Sequence, residues 1–426
     1  MTTLEQPSSQ DTATLVADLP RIRRRTTLVL LAGQVLGGLG VAIGIALSAL
    51  LAEEVSGSEA LSGLGQTSTV AGTAVLALPL ASLMSRRGRR AGLVLAYLIG
   101  AAGAALVVLA AVVGNFPLLL LGMAAFGAGS SANLAARFAA ADLAEPERRG
   151  RAIATVVWAT TIGAVLGPNI AAPAGRSVSG AGIPEAAGPF VWATGVFLVA
   201  AVVMALTLRP DPLLTARALN PADADRPESR SLRAAVRAVQ GSPMARLALL
   251  TIAVSHTTMV AIMVMTPLDL VHHGADIELI GLVFSSHILG MYAFSPVMGW
   301  LADRIGRISV IGLAVALLAL AALLAGTAQG NHLQSAAGLF VLGLGWSAGL
   351  VSGSALLTDS VPQASRAGVQ GLADLSMSSL AGAGGALAGV VVAQASYGWL
   401  NAAGAVLLLP VAVLGVLTRG RMPRTD

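Results

Sequence analysis

The sequence has 426 residues, of which 55% are hydrophobic and only 11% are charged. Its mean hydropathy is +0.79, and no ordinary soluble domain is so poor in charge over such a length. The sequence contains no cysteine, which excludes disulfides, zinc–thiolate sites and thiol redox chemistry. We therefore predict an all-α polytopic protein embedded in the lipid bilayer.

The basic residues are all arginines dispersed among short loops, and aromatic residues make up 4% of the sequence. A nucleic-acid surface would gather basic residues into one patch. The net charge of +5 is better explained by basic loops that stay on one side of a membrane. We expect no nucleic-acid partner.

Twelve apolar segments are long enough, at about 20 residues each, to cross a hydrocarbon core. They are predicted at residues 28–51, 62–84, 91–113, 117–139, 150–174, 188–208, 244–269, 277–301, 308–327, 333–357, 368–394 and 398–417.

The spans fall into two halves of six, at residues 28–208 and 244–417, joined by the polar linker 209–243. A short surface helix is predicted in the linker at 230–240. Residues 1–27 and 418–426 are predicted tails. Since arginine-rich loops of membrane proteins stay in the cytoplasm, we place both tails and the linker there. The protein is expected in the inner membrane of a bacterial cell, as a monomer.

The two halves repeat each other in sequence. Ser85–Arg89 matches Asp303–Arg307 at an offset of 218 residues, and Asp142 matches Asp359 at an offset of 217. Two six-helix halves in parallel repetition place a substrate site at their interface, near the middle of the bilayer.

The segment Gly299–Arg307 reads Gly-Trp-Leu-Ala-Asp-Arg-Ile-Gly-Arg and resembles the loop between the eighth and ninth spans in the major facilitator superfamily. The resemblance implies that superfamily's fold and secondary transport by alternating access. It also implies a gating role for the acid, which would contact the start of span five near Gly150. The first-half loop lacks the acid, with Ser85 in its place, so we expect unequal contacts in the two halves. The candidate gating residues are Gly299, Asp303, Arg304, Gly306 and Arg307.

Two helical turns carry side chains that bind soft metals. Met259 and Met263 lie four residues apart in span seven, and His287 and Met291 lie four apart in span eight. Spacing of four places each pair on one helix face, and thioether and imidazole groups favour copper over hard cations. Methionine also fills cores, which is the alternative meaning of the methionine pair. His256 lies one turn below Met259 and is a possible further ligand.

Paired Met-x-x-x-Met and His-x-x-x-Met motifs in these two spans resemble those of the CcoA-type copper importers. This resemblance implies copper import, with copper as the transported substrate and no bound cofactor. Depth along the helices agrees with a site shared by spans seven and eight, which are expected to be antiparallel neighbours. His272 and His273 are candidates for outer metal capture, although a solvated polar turn explains them equally well.

Other polar residues leave further functions open. Asp374 in span eleven is a candidate proton carrier or a helix cap. Gln34 and Asn133 are candidate buried polar groups. A proton-coupled exporter of small amphipathic organic compounds is the alternative to copper import, and a metal sensor is a third possibility. Since no Walker loop follows a strand and no Ser–His–acid cluster has a credible context, we do not expect an enzyme.

Overall fold

A computed structural model describes residues 9–46, 48–58, 61, 64–219, 232–275 and 277–419. Its helices account for nearly all of these residues, and no strand occurs among them. Twelve of the helices are long and apolar enough to cross a membrane. The predicted all-α class and the predicted number of spans are therefore confirmed.

We number the spans α1 to α12, and two of them are divided into parts a and b. The first half comprises α1 (Ser9–Ala46), α2 (Leu64–Arg87), α3 (Arg89–Val113), α4 (Phe116–Asp142), α5 (Arg149–Val178) and α6 (Gly188–Thr207). The second half comprises α7 (Pro243–His272), α8a (Ile277–Tyr292), α8b (Ser295–Arg304), α9 (Arg307–Gly326), α10 (His332–Asp359), α11 (Gln363–Gln394), α12a (Tyr397–Leu407) and α12b (Leu409–Arg419). Shorter helices cover Ser48–Ser56, Pro212–Leu219 and Leu232–Gln240, the last being the predicted surface helix.

The eighth and twelfth spans were predicted to be continuous, but each is interrupted. Pro296 and Pro410 lie at the second position of α8b and α12b. Proline has no backbone N–H and cannot bond to the preceding turn, so it is favoured in the first turn of a helix, where that N–H would have no partner. At the break in α8, the Ser295 hydroxyl donates to the carbonyl of Tyr292 at 2.7 Å.

The helix contacts repeat from one half to the other. In the first half α1 packs against α5, α2 against α4, and α3 against α4 and α6. The second half has the equivalent contacts of α7 with α11, α8a with α10, and α9 with α10 and α12a. The halves meet through two symmetric pairs, α2 with α11 and α5 with α8b. The tight turns after α2 and α8b contain Gly88 and Gly306, whose φ angles of 87° and 90° favour glycine.

An even number of spans places both chain ends on the same side of the bundle, which we call the terminal side. The opposite side is the far side. Helix starts on both sides are capped by side chains. Asn115, Asn331 and Ser396 accept a backbone N–H on the far side, and Ser242 does so on the terminal side.

Close backbone contact between α2 and α4 gives a first prediction. A Cβ atom at Gly72 would lie 1.8 Å from the carbonyl oxygen of Ala124, so Gly72→Ala forces the two helices apart. We expect it to destabilise the fold by about 1–3 kcal/mol, seen as a lower midpoint of thermal unfolding in detergent. Gly195→Ala on α6 is the matched control, because a Cβ atom at Gly195 would have no neighbouring atom within 4 Å. Equal midpoints for the two variants would contradict the packing.

Candidate functional site

The second-half loop joins the two halves on the terminal side. The Asp303 carboxylate accepts hydrogen bonds from the backbone N–H groups of Gly150 and Arg151, both at 2.9 Å. These are the free N–H groups in the first turn of α5, where the helix dipole favours a negative charge. The contact lies at Gly150, as the family resemblance implied. The gating role assigned to Asp303 stays a prediction.

Arginines surround this contact. Arg307 forms ion pairs with Asp303 at 3.3 Å and Asp359 at 3.2 Å, and it donates to the carbonyl of Pro146. Arg149 of α5 pairs with the same Asp359 at the end of α10. One network of charges therefore spans both halves on the terminal side.

The other candidate gating residues differ in their roles. A Cβ atom at Gly299 would lie 2.6 Å from the carbonyl of Gly150, so glycine permits α8b to approach α5. Gly306 provides the positive φ of the turn. Arg304 lies over the Trp300 ring, 5.0 Å from its centroid, and no cross-half contact of Arg304 occurs among the described residues.

The first-half loop makes a different contact, as expected from the missing acid. Arg89 pairs with Asp142 at 2.7 Å and donates to the Gln370 side chain on α11 at 2.5 Å. A small cavity adjoins this contact, between α2, α4 and α11. Arg89, Ser131, Ala135, Gln370 and Asp374 are among its lining residues.

A buried ion pair between the halves was missed by the sequence analysis. Arg137 of α4 donates to Asp374 of α11 at 2.6 Å and to the Ser354 hydroxyl of α10 at 3.1 Å. The Arg137 side chain is 1% exposed and the Asp374 side chain 9%. Asp374 was predicted as a proton carrier or a cap, but its partner was not identified. A lone arginine within the apolar span 117–139 was the available signal, since charges inside a membrane segment are costly and mostly functional.

The helices that carry the predicted copper ligands are arranged differently from the prediction. Helices α7 and α8a both pack against α10, whereas they share little contact with each other along their described residues. The prediction that these two spans are antiparallel neighbours is therefore wrong. Gly343 of α10 has no side chain, and the backbone of α8a at His287 and Met291 packs closely against it. Helix α10 therefore lies beside α8a, where α7 was expected.

His287 is fully buried and points at α10. Its Nδ1 lies 2.8 Å from the carbonyl oxygen of Leu339. A carbonyl only accepts, so Nδ1 carries the proton and Nε2 is the unprotonated nitrogen. Nε2 is buried and has no hydrogen-bond partner among the described residues.

The methionines are core residues to different degrees. Met259 and Met291 are 2% and 7% exposed and belong to the second-half core, while Met263 is partly buried against it. His256 accepts a hydrogen bond at Nδ1 from the Trp346 indole N–H at 2.8 Å, so that nitrogen is already occupied. Within the described part of the chain, no three His, Asp or Glu side chains converge on one point.

The predicted outer residues lie at the far-side end of α7. His272 and His273 are both exposed, and Nδ1 of His273 lies 2.8 Å from the carbonyl of Asp269. Asp276, in the same loop, lies outside the described residues. This geometry fits the solvated polar turn as well as a capture site.

Polar side chains of the first half form pairs at the inner helices. Gln34 of α1 donates to the Thr160 hydroxyl of α5 at 2.7 Å. The Tyr97 hydroxyl donates to the side-chain oxygen of Asn133 at 3.1 Å. Gln34 and Asn133 are thus partnered within their own half, and Gln34 Oε1 is buried without a partner among the described residues.

The chain matches the family model of the Major Facilitator Superfamily over residues 29–268 and 248–426. The chain belongs to the major facilitator superfamily. It is 38% identical to the uncharacterized MFS-type transporter YdeG of Bacillus subtilis, over 93% of each chain. It is 29% identical to the riboflavin transporter RfnT of Brucella anthropi, over 83% of this chain and 85% of the relative. Its fold resembles the proton:xylose symporter XylE, with a TM-score of 0.72, 16% identity and coverage of 96% and 97%.

Family membership makes this protein a membrane transporter of the alternating-access type. The structure is closed on the terminal side, because the ion pairs between its halves link Arg137 to Asp374, Arg149 to Asp359 and Arg151 to Asp303. On the other side of these contacts, α1 and α7 share little contact along their described residues.

The terminal-side contacts give a second prediction. We expect Asp303→Asn to weaken the bond to α5 and raise the fraction of molecules that are open on the terminal side. The absence of native cysteine allows Ala135→Cys, in the cavity between α2, α4 and α11, to report opening through its rate of maleimide labelling. We expect labelling to be several-fold faster in Asp303→Asn.

Asp211→Asn is the control. Asp211 of the linker also accepts a backbone N–H at a helix start, that of Arg90 in α3 at 2.7 Å, but this contact does not join the two halves. If both variants accelerate labelling equally, Asp303 has no special part in closing the terminal side.

Proposed function

We propose that this transporter moves a small organic solute and couples that movement to protons through Arg137 and Asp374. The observation that carries the proposal is their buried ion pair, which joins α4 of one half to α11 of the other at 2.6 Å. Asp374 lies eleven residues into α11, or about 16 Å from its terminal-side end. A titratable carboxylate buried inside a span, at the contact that closes the terminal side, is in a position to exchange a proton as that contact opens and closes.

The coupling follows from electrostatics. While Asp374 is ionised, it neutralises Arg137 and the halves stay together on the terminal side. A proton on Asp374 removes that negative charge and leaves Arg137 buried without a counter-ion, which costs about 3–5 kcal/mol. Water that enters from the terminal side relieves this cost by hydrating Arg137. Protonation therefore favours opening of the terminal side, and the proton leaves there as the ion pair re-forms.

The chemistry of the inner helices supports an organic cargo. Their polar side chains are neutral hydrogen-bonding groups, such as Gln34, Asn133 and His256, which suit an uncharged polar molecule. The similarity to a riboflavin transporter makes riboflavin the first solute to test.

The cellular arrangement is part of the same proposal. Arginine-rich loops favour the cytoplasm for the terminal side, so the closed structure would have its substrate site open to the outside. The bacterial relative YdeG supports the cytoplasmic membrane of a bacterium as the location. Both halves lie in one chain, which supports a monomer.

The test is radiolabelled riboflavin uptake by proteoliposomes with an imposed pH gradient. We expect gradient-driven accumulation by the native protein and its loss in Asp374→Asn, because an amide takes up no proton. Exchange of riboflavin at equal pH should persist in the variant. Glu145→Gln is the control, since Glu145 lies in the loop before α5 and pairs with Arg23 in the terminal-side part of α1. Full accumulation by Asp374→Asn would refute proton coupling at this residue, and no riboflavin movement would refute that cargo.

Copper is the second candidate cargo, and one observation favours it. His287 donates from Nδ1 to a backbone carbonyl at 2.8 Å, which is how metal-binding histidines are commonly oriented. Its Nε2 lone pair is buried and without a partner among the described residues. The Met291 thioether lies one turn away on the same helix, and Met259 and Met263 would have to approach from α7. His272 and His273 would then capture the ion at the far side.

Uptake of radioactive copper by cells separates this candidate from the organic cargo. If copper is carried, His287→Ala and Met259→Ala should each lower uptake at least several-fold. Met377→Ala serves as the matched control, because Met377 is a methionine of α11 that is 1% exposed and outside the proposed ligand set. Unchanged uptake in the two ligand variants, or an equal decrease in the control, would reject copper transport through these residues.

A further inference from the structure

A small cavity lies beside Asp374, where α2, α4 and α11 meet. Residues without bulky side chains leave this space, among them Ala77 and Ala81 of α2 and Ala135 of α4. A Cβ atom at the lining residue Gly371 would lie 2.5 Å from the Cβ atom of Ala81, so the two halves touch at the wall of the cavity. Its volume is about 10 Å³, and roughly 10–15 Å³ is enough for one water molecule.

Gln370 brings a donor without a partner to this cavity. The Arg89 guanidinium donates to the Gln370 side chain at 2.5 Å. Since a guanidinium has no acceptor, the atom that faces it is the amide oxygen, and the amide nitrogen Nε2 is turned away from Arg89. Gln370 is 3% exposed, and its Nε2 is buried with no hydrogen-bond partner among the described residues. Because a buried N–H without a partner is destabilising, Nε2 requires an acceptor.

Two acceptors line the same cavity. Asp374 accepts from Arg137 at Oδ1, and its Oδ2 has no hydrogen-bond partner in the described part of the chain. Gln370 and Asp374 lie four residues apart, which places them on one face of α11 with their Cβ atoms about 5–6 Å apart. The Ser131 hydroxyl of α4 donates to the carbonyl of Thr73 at 3.1 Å, so the lone pairs of its oxygen are available to accept.

The size and charge of the site favour water over an ion or an organic solute. The arginines at the site are already neutralised, Arg89 by Asp142 at 2.7 Å and Arg137 by Asp374 at 2.6 Å. An added ion would therefore bring a net charge into a buried site, which is costly. A small space with one donor and two acceptors matches water, which makes about three hydrogen bonds when it is buried.

The cavity lies between Asp374 and the terminal side. Gln370 is seven residues into α11, or about 10 Å from the terminal-side end, whereas Asp374 is about 16 Å from that end. Arg89 also lines the cavity and is the first residue of α3, on the terminal side. A molecule bound here is therefore on the path from the terminal-side solvent to Asp374.

We propose that this cavity binds an ordered water molecule, which accepts from Gln370 Nε2 and donates to Asp374 Oδ2 and to the Ser131 hydroxyl. Gln370 is then a positioning residue, because it holds the water against the carboxylate. The water receives a proton from the terminal-side solvent and passes one to Oδ2, so it remains water while Asp374 becomes neutral. The release of the proton reverses these steps. The proton path rests on the proposed coupling through Asp374, whereas the bound water does not.

The test is water-edited solid-state NMR of the isotope-labelled full chain in lipid bilayers, in which magnetisation passes from water to nearby protein atoms. We expect transfer to Gln370 Nε2 to be several-fold faster than to the indole nitrogen of Trp346, a buried donor that already bonds to His256. The Asp374 carboxyl carbon should receive magnetisation equally fast. Loss of the signals in Gln370→Leu and Asp374→Asn assigns them. Transfer to Gln370 as slow as that to Trp346 would refute the bound water.

Two variants test the water without removing the ion pair. Ala135→Val fills the cavity and leaves its polar groups in place, so we expect transfer to the Asp374 carboxyl to fall several-fold. Gln370→Leu should also lower this transfer, because the water loses its donor. Gln363→Leu is the matched control, since Gln363 lies on the same helix, is 4% exposed and does not line the cavity. Thermal midpoints show whether each variant is folded. Native transfer in a folded Ala135→Val, or an equal loss in Gln363→Leu, would overturn the inference.

Transport measurements separate this inference from the proposed function. Under an imposed pH gradient, Ala135→Val should accumulate riboflavin several-fold more slowly than the native protein, while its exchange of riboflavin at equal pH should be unchanged. Native accumulation by a variant that has lost the water would refute the proton path and retain the proposed coupling. A water signal that depends on Gln370, in a protein that accumulates no riboflavin, would retain the bound water and refute the proposed function.

Discussion

The ion pair between Arg137 and Asp374 constrains how the two halves of this transporter can move. Two opposite charges in an apolar bundle must stay paired or become hydrated, since an unpaired buried charge costs about 3–5 kcal/mol. The remaining contacts between the halves follow the same rule. Asp303 caps α5, and Asp359 receives both Arg149 and Arg307. Each half is held together mainly by apolar packing, and one apolar cluster extends from the second half onto Phe138 of α4 and Ile153 of α5. Charge adds to this packing where the halves meet on the terminal side, so water and protons act most directly on that interface.

The repeat is exact enough to reveal where the two sides differ. Arg89 with Asp142 and Arg307 with Asp359 are equivalent ion pairs at equivalent helix ends. The next contact is not equivalent. The second-half loop reaches α5 with a carboxylate, but the first-half loop reaches α11 through the hydrogen bond of Arg89 to the neutral Gln370. A helix N-terminus favours a carboxylate, so the contact of α5 with α8b carries an electrostatic term that the contact of α2 with α11 lacks.

The sequence predicted the spans and the loop contact because hydropathy and repetition depend on position along the chain. Asp303 could be assigned to the start of α5 from the resemblance of its loop to the superfamily, together with the repeat of the two halves. The depth of a residue in the bundle could also be predicted, from the rise per residue along its helix. The rotation of each helix about its own axis could not be predicted from the sequence. For this reason His287 was expected to face α7, whereas it bonds to Leu339 of α10. The helix breaks depend on local proline positions within long apolar runs, and Arg137 was overlooked because it lies inside a span instead of a loop.

The two histidines inside the second half, His256 and His287, distinguish the alternative cargoes. Trp346 donates to His256, which fixes the proton of that ring on Nε2. The carbonyl of Leu339 accepts from His287, which fixes the proton of that ring on Nδ1. In the same closed structure, His256 therefore offers a hydrogen-bond donor and His287 offers a lone pair. A metal ion needs the lone pair, whereas a carbonyl-bearing solute needs the donor. The ring of His287 on α8a bonds to α10 at Leu339, whereas the ring of His256 on α7 bonds to α10 at Trp346, so the two rings offer different groups from different helices. Substitution at one histidine should therefore affect one class of cargo and leave the other unchanged.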